Sequence, residues 1–182
     1  PLHVTETSGR IALPALEVAA FLVFVFVVFG ALLDRWGGGD FFHDLAHGLV
    51  GRQVGGPAKV AVVSSGLMGT INGSGVANVV TTGQFTIPLM KRFGYSPAFA
   101  GGVEATSSMG GQIMPPVMGA VAFIMSETIN VPYVEICKAA LVPALLYFMT
   151  AFIMVHLEAG RAGLLGIPKD ECPNPWRAVR DR

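Results

Sequence analysis

Apolar residues run from Val60 to Met90 without a single charge, and the run is broken at its centre by Thr70-Ile71-Asn72-Gly73-Ser74-Gly75. An uncharged run of this length belongs in a bilayer or a deep core. Asn, Ser and clustered Gly are poor choices for the middle of a plain spanning helix. Gly loosens the helix, and unpaired backbone groups are costly in hydrocarbon. The break therefore predicts two half-length helices, Lys59 to about Thr70 and Val76 to Met90. The first is about 18 Å long at the helical rise, too short for a hydrocarbon core of roughly 30 Å. Together they predict a re-entrant hairpin over residues 57–92, with Lys59 and Lys91-Arg92 at its two ends on one side. The alternative is one long tilted helix with an internal kink. The half-lengths and the flanking charges favour the hairpin.

The same pattern organises the rest of the chain. Residues 1–36 read as a polar loop followed by a spanning helix, Leu13 to Leu33, rich in Phe and Val. Residues 37–56 read as an amphipathic arm, with a short helix from Asp40 to Gln53 and Asp40 as its N-cap. Residues 93–128 read as a broken spanning helix, Ala98 to Met109 and Pro115 to Ser126, interrupted at Gly110-Gly111-Gln112-Ile113-Met114. Pro115 and Pro116 remove two backbone donors and free nearby carbonyls. Residues 129–159 hold a last spanning helix, Ala139 to Val155, and residues 160–182 a charged, Pro-rich tail. The expected fold class is an all-α integral membrane protein with spanning helices, a re-entrant hairpin and a broken helix.

Composition agrees. The chain is 52% hydrophobic and 13% charged, against roughly 25% charged for soluble domains. Zero net charge gives no footing for nucleic-acid binding. In this layout Arg35, Arg52, Lys59, Lys91, Arg92, Arg161 and Lys169 fall on one side and only Arg10 and Lys138 on the other. The positive-inside rule makes the basic side cytoplasmic. Cys137 and Cys172 then lie on opposite faces and do not pair. The sequence opens on Pro1, and a piece of a longer chain is expected.

Two broken membrane segments close together point to a site where backbone and small polar groups bind an ion or solute. At the hairpin tip, Gly73, Ser74 and Asn78 offer small polar groups, with Thr81 and Thr82 one turn deeper. A half-helix N-terminus favours an anion and unwound carbonyls favour Na⁺, so a carboxylate and a sodium ion can sit side by side. Close helix packing is the competing use of these small residues. Gly110, Gly111, Gln112 and Pro115 supply the second break. Glu104, a carboxylate inside the first half-helix, is a functional candidate by its position, with a structural pairing as the alternative. His43 and His47 have the i, i+4 spacing of a zinc-binding helix, but no third ligand is evident and Asp44 stands where a metalloprotease carries Glu. They are expected to face headgroups, and no resident cofactor or catalytic residue is expected.

The stretches Gly55-Gly56-Pro57-Ala58-Lys59-Val60-Ala61-Val62, Asn72-Gly73-Ser74-Gly75-Val76-Ala77-Asn78-Val79-Val80-Thr81-Thr82-Gly83, Phe85-Thr86-Ile87-Pro88-Leu89-Met90 and Gly110-Gly111-Gln112-Ile113-Met114-Pro115-Pro116-Val117-Met118-Gly119 resemble the large membrane subunit of TRAP transporters. Within that family they are most similar to the fused permeases of the TAXI type. The likeness runs from about Phe29 to Gly166 and extends to Val155-His156-Leu157-Glu158-Ala159. Gly75 stands where the family pattern leads one to expect Ser or Ala.

The resemblance implies one of two inverted repeats of an elevator-type secondary transporter in a bacterial or archaeal inner membrane. It implies import of a small organic acid with Na⁺ as the coupling ion. The implied partners are a periplasmic solute-binding protein, the remainder of the permease with its second repeat, and the lipid bilayer. It places the ion and substrate site at Gly73, Ser74, Asn78, Gly110, Gly111, Gln112 and Pro115. A membrane scaffold or assembly subunit with no solute site is the alternative from a different class.

Overall fold

The computed structural model describes residues 24–164 and 166–168, and it contains helices and no strand among the described residues. Among the described residues seven α-helices follow in order: α1 (Phe24–Arg35), α2 (Gly38–Val50), α3 (Gly56–Asn72), α4 (Gly75–Arg92), α5 (Pro97–Gly110), α6 (Ala120–Ile129) and α7 (Tyr133–Arg161), with a 3₁₀ turn at Gly111–Ile113. Of the first spanning helix expected from Leu13, only the α1 portion is described. The residues before Phe24 and those beyond Pro168 lie outside the described residues.

The uncharged run doubles back on itself. α3 and α4 are joined by Gly73 and Ser74 alone and lie antiparallel, because the Ser65 carbonyl accepts from the Asn78 amide at 2.8 Å and Ser65 Oγ lies 3.2 Å from Thr82 Oγ1. One continuous helix would hold these pairs about 20 and 26 Å apart. The arms are longer than the sequence predicted, 17 and 18 residues, or roughly 26 Å each. α3 starts a turn early, at Gly56-Pro57, and runs on through Asn72. Gly73 ends it with φ 57° and an N–H directed at the Gly69 carbonyl. This is the left-handed C-terminal stop that glycine adopts without steric penalty. Ser74 then caps α4, accepting from the Ala77 N–H at 3.3 Å.

The broken helix departs further from expectation. α5 begins at Pro97, and Ser96 Oγ accepts from the Phe99 N–H at 3.2 Å. Ser96→Ala is expected to lower the stability of the protein by about 1 kcal/mol through loss of this cap, read as a lower unfolding midpoint. The second half does not start at Pro115. The backbone stays irregular from Met114 to Gly119, and α6 begins at Ala120. A residue before proline is pushed out of the helical region, as Met114 is (φ −83°, ψ 116°). Met118 takes φ 56°, which also stops a helix. The loop closes where the Gly119 N–H donates to the Gln112 carbonyl at 2.8 Å.

The last helix is much longer than the predicted Ala139 to Val155. α7 spans 29 residues, passes through Pro143, and is the one described helix long and apolar enough to cross a membrane. A Glu135–Lys138 ion pair at 2.7 Å supports its first turn. α2 also starts earlier than expected. Gly37, at φ 86°, precedes it, so Asp40 lies in the first turn rather than capping.

The core sits at the base of the hairpin. Ala58, Ala61 and Val62 of α3 pack with Met90 of α4, Ala100 and Val103 of α5, and Val155 and Ala159 of α7. Lys59, expected at the cytoplasmic end of the hairpin, is buried there. Its ammonium donates to Gln53 Oε1 at 2.9 Å and lies 4.7 Å from the centre of the Phe152 ring. The hairpin is thereby fastened at its base to the loop after α2 and to α7, while its tip meets the break.

Candidate functional site

The most polar part of the interior surrounds Glu104. Its carboxylate is fully buried. Oε1 accepts from Ser65 at 3.2 Å, from Ser108 at 2.8 Å and from Thr82, and Oε2 accepts from Thr86 at 2.5 Å. The helical repeat explains how the donors gather. Thr82 and Thr86 are four apart on one face of α4, Glu104 and Ser108 are four apart on α5, and Ser65 faces both from α3. Among the described residues no Lys or Arg takes part. All four donors are neutral hydroxyls, which can hold a carboxylate where a buried ion would otherwise be very costly. On the neighbouring arm, burial pushes the His43 imidazole below its ordinary range, against the opposing pull of the Asp44, Asp40 and Glu104 carboxylates. Burial thereby favours the neutral form.

One helical turn toward the tip lies Asn78, also fully buried. Its Nδ2 donates to the Ser65 carbonyl at 2.8 Å and reaches the Ser108 carbonyl at 3.4 Å. Only an NH₂ group satisfies two carbonyls, which fixes the amide orientation. Oδ1 then faces away and meets no donor. Beside it Gly69 and Gly111 bring α3 and the break into backbone contact. A Cβ built on Gly111 would stand 2.8 Å from the Gly69 Cα and 3.1 Å from Asn78 Nδ2.

At the tip, Asn72, Gly73 and Ser74 face Gln112, Val117 and Gly119 of the break across a cavity of about 330 Å³. Asn72 Oδ1 accepts from the Ser74 N–H at 3.2 Å, and its buried Nδ2 has no partner. Two unpaired amide atoms, a donor at Asn72 and an acceptor at Asn78, thus lie in the region where hairpin and break meet.

The structure brings most of the sequence candidates together and separates others. Gly73, Ser74 and Gln112 share the tip cavity, while Asn78 and Gly111 share the crossing behind it. Gly110 is tight against the Tyr147 ring of α7, which is a packing role. Thr82 belongs to the Glu104 cluster. Thr81 turns its hydroxyl back to the Ala77 carbonyl, 2.9 Å away. Pro115 shapes the loop and does not line the tip cavity. The Gly75 departure has a steric reason: a Cβ there would press on Met109 and stand 2.7 Å from Gln112 Nε2.

The two histidines do not face headgroups as expected. His47 is buried, and His43 packs on Phe85 of α4 at 5.6 Å between ring centres. Among the described residues no cluster of His, Cys, Asp and Glu could hold a metal ion. Sequence reasoning did not single out Ser65 and Thr86, whose hydroxyls meet the Glu104 carboxylate. Hydroxyls inside an apolar run, four residues apart and opposite a buried carboxylate, were the available signal.

Comparison with known proteins gives a consistent picture. A family model described as "Tripartite ATP-independent periplasmic transporter, DctM component" matches residues 3–182. An uncharacterised protein of Salmonella typhimurium is 35% identical over 50% of this chain and 21% of its own length. The C4-dicarboxylate TRAP transporter large permease protein of Pseudomonas aeruginosa is 28% identical over 92% of this chain and 37% of its own length. The sialic acid TRAP transporter large permease protein of Vibrio cholerae is 26% identical over 86% of this chain and 36% of its own length. The chain therefore spans between about a fifth and two-fifths of the length of the curated relatives it matches.

Proposed function

Because this chain belongs to the DctM component family of tripartite ATP-independent periplasmic transporters, we propose that it forms one repeat of a membrane permease. The role is transport rather than enzymatic chemistry. Its partners are the remainder of the permease with a second repeat, a periplasmic solute-binding protein and the lipid bilayer of a bacterial or archaeal inner membrane. Import is driven by a sodium gradient, and the solute is a small organic acid. The relatives named for C4-dicarboxylate and sialic acid favour that solute class.

The observation that carries this reading is the meeting of the hairpin tip with the break. Asn72, Gly73 and Ser74 close on Gln112 and Gly119, with the Asn78 Oδ1 acceptor unpaired one turn deeper. The first turn of α4 points its free N–H groups toward the tip, where a solute carboxylate is stabilised. Neutral oxygens then bind Na⁺ without a fixed charge in the tip cavity. A gradient drives import only if ion and solute stabilise the same state, and one site shared by hairpin and break meets that condition. A purely scaffolding role accounts for the Gly69–Gly111 approach by packing. It leaves two buried amide atoms without a purpose, and each unpaired group is costly.

The test is sodium-dependent solute uptake by the full-length permease in proteoliposomes. Asn78→Ala is expected to weaken the apparent sodium affinity by about tenfold, the scale of one lost polar contact of roughly 1.4 kcal/mol. Ser74→Ala loses a helix cap as well, and is expected to reduce uptake together with stability by about 1 kcal/mol. Wild-type sodium dependence in both variants would remove the site assignment.

A further inference from the structure

We infer that Glu104 is the positioning residue of the hairpin, acting through Ser65 and Ser108 to aim the Asn78 side chain at the ligand. This rests on the reading of Asn78 as part of the ion and solute site. Glu104 does not line the tip cavity, and the Asn78 amide bonds to the Ser65 and Ser108 carbonyls rather than to its carboxylate. Its Oε1 gathers three hydroxyls, one from each packed helix: Ser65 of α3, Thr82 of α4 and Ser108 of α5. Two of those residues, Ser65 and Ser108, also present the backbone carbonyls that take the Asn78 NH₂ group. The third, Thr82, stands one turn from Asn78 on the same helix, with its hydroxyl 2.8 Å from the Asn78 carbonyl.

One carboxylate oxygen therefore fixes the spacing of α3, α4 and α5 around the amide. With both NH₂ hydrogens committed to carbonyls, Oδ1 is the acceptor left over, fully buried and unpaired. Were the cluster slack, the amide could rotate and present its NH₂ group instead, which would repel a cation and fail to receive a donor. The acceptor face is thus chosen by a residue one turn away from it, and Glu104 contributes to ligand affinity without touching the ligand.

Glutamine separates position from charge. In Glu104→Gln the remaining oxygen still accepts from Ser65, Thr82 and Ser108. The new NH₂ group donates to Thr86, whose own proton turns to the Thr82 carbonyl 3.1 Å away. Leucine removes every acceptor.

The experiment is side-chain amide NMR on the full-length permease labelled with ¹⁵N-asparagine, the Asn78 resonance being assigned by its loss in Asn78→Ala. Glu104→Leu is expected to shift or broaden that resonance, and Glu104→Gln to restore the wild-type position. Sodium chloride, against choline chloride at equal ionic strength, is then used as the probe of binding through thermal stabilisation. Its midpoint is expected to move about tenfold in Glu104→Leu and to stay within about twofold in Glu104→Gln, a tenfold change being 1.4 kcal/mol.

Ser108→Ala covers the case in which the leucine variant fails to fold. It removes one hydroxyl from the cluster but keeps the carbonyl, and is expected to move the same resonance. An Asn78 resonance unchanged in Glu104→Leu, or in Ser108→Ala where the leucine variant does not fold, overturns the inference. A wild-type permease that sodium does not stabilise overturns the sodium reading instead, and the resonance still decides the role of Glu104.

Discussion

Gly73→Ala is expected to abolish solute uptake by the full-length permease and to destabilise it by about 2–5 kcal/mol. Two costs combine. Gly73 holds φ 57°, and an L-residue there costs roughly 1–2 kcal/mol. The new Cβ also lands on the Met118 carbonyl of the break. That obstacle is backbone held in a tied loop, so it cannot swing aside as a side chain would, and overpacking of this kind costs typically 1–3 kcal/mol. The displacement falls at the contact between hairpin tip and break, so the solute cavity is deformed along with the fold. Gly160→Ala is the matched control, since a Cβ there meets nothing within 4 Å, and it is expected to leave uptake and the unfolding midpoint near wild type. If the two alanine variants behave alike, the tip contact is not the structural hinge of the site.

Glu104→Leu is expected to destabilise the permease by roughly 2–4 kcal/mol, from one or two buried hydroxyls left without an acceptor. The four donors do not suffer equally. Thr82 and Thr86 can turn back to the carbonyls of Asn78 and Thr82, which lie 2.8 and 3.1 Å from their hydroxyls. Ser65 and Ser108 lose their acceptor at Glu104 and have only each other, at 3.4 Å, and Thr82 near Ser65. Burying leucine offsets part of the loss. Glu104→Gln retains an acceptor oxygen and is expected to cost less than about 1 kcal/mol. Chemical or thermal unfolding of the two variants in one detergent gives the comparison. A leucine variant more stable than wild type would mean that the hydroxyl cluster is a burden on the fold, as buried polar networks sometimes are.

The parts legible in the sequence were those written in local chemistry. The uncharged run with Asn72-Gly73-Ser74 at its centre announced a hairpin, because glycine and small polar residues stop a helix wherever they stand. Gly110-Gly111 with Pro115-Pro116 announced a break for the same reason. Extents were less legible. α7 runs through Pro143 to 29 residues, since a proline removes one helical hydrogen bond and can kink a helix without ending it, so the residue alone does not disclose where the helix stops. α6 starts at Ala120 rather than Pro115 because Met118 takes a left-handed conformation, decided by the loop closing back on Gln112.

The candidate site divides in the same way. Gly73, Ser74, Asn78, Gly111 and Gln112 could be chosen from motif and family likeness, and they lie along the contact between hairpin and break. Thr81 and Thr82 read identically along the chain, yet the 100° between adjacent helical positions sends one hydroxyl to its own helix and the other to Glu104. Glu104 itself was visible as a charge in an apolar helix, but not as the hub of Ser65, Thr82, Thr86 and Ser108. Sequence by itself determined the helical class, the two interruptions and the membership of a transporter family, since these follow from hydropathy, backbone stereochemistry and motif. Only the tertiary structure decided which polar groups face one another. Hydrogen bonds between residues as far apart as Ser65 and Ser108 depend on how three helices are rotated and spaced, and that is set by packing at Gly69, Gly111 and the hairpin base rather than by any local run of residues.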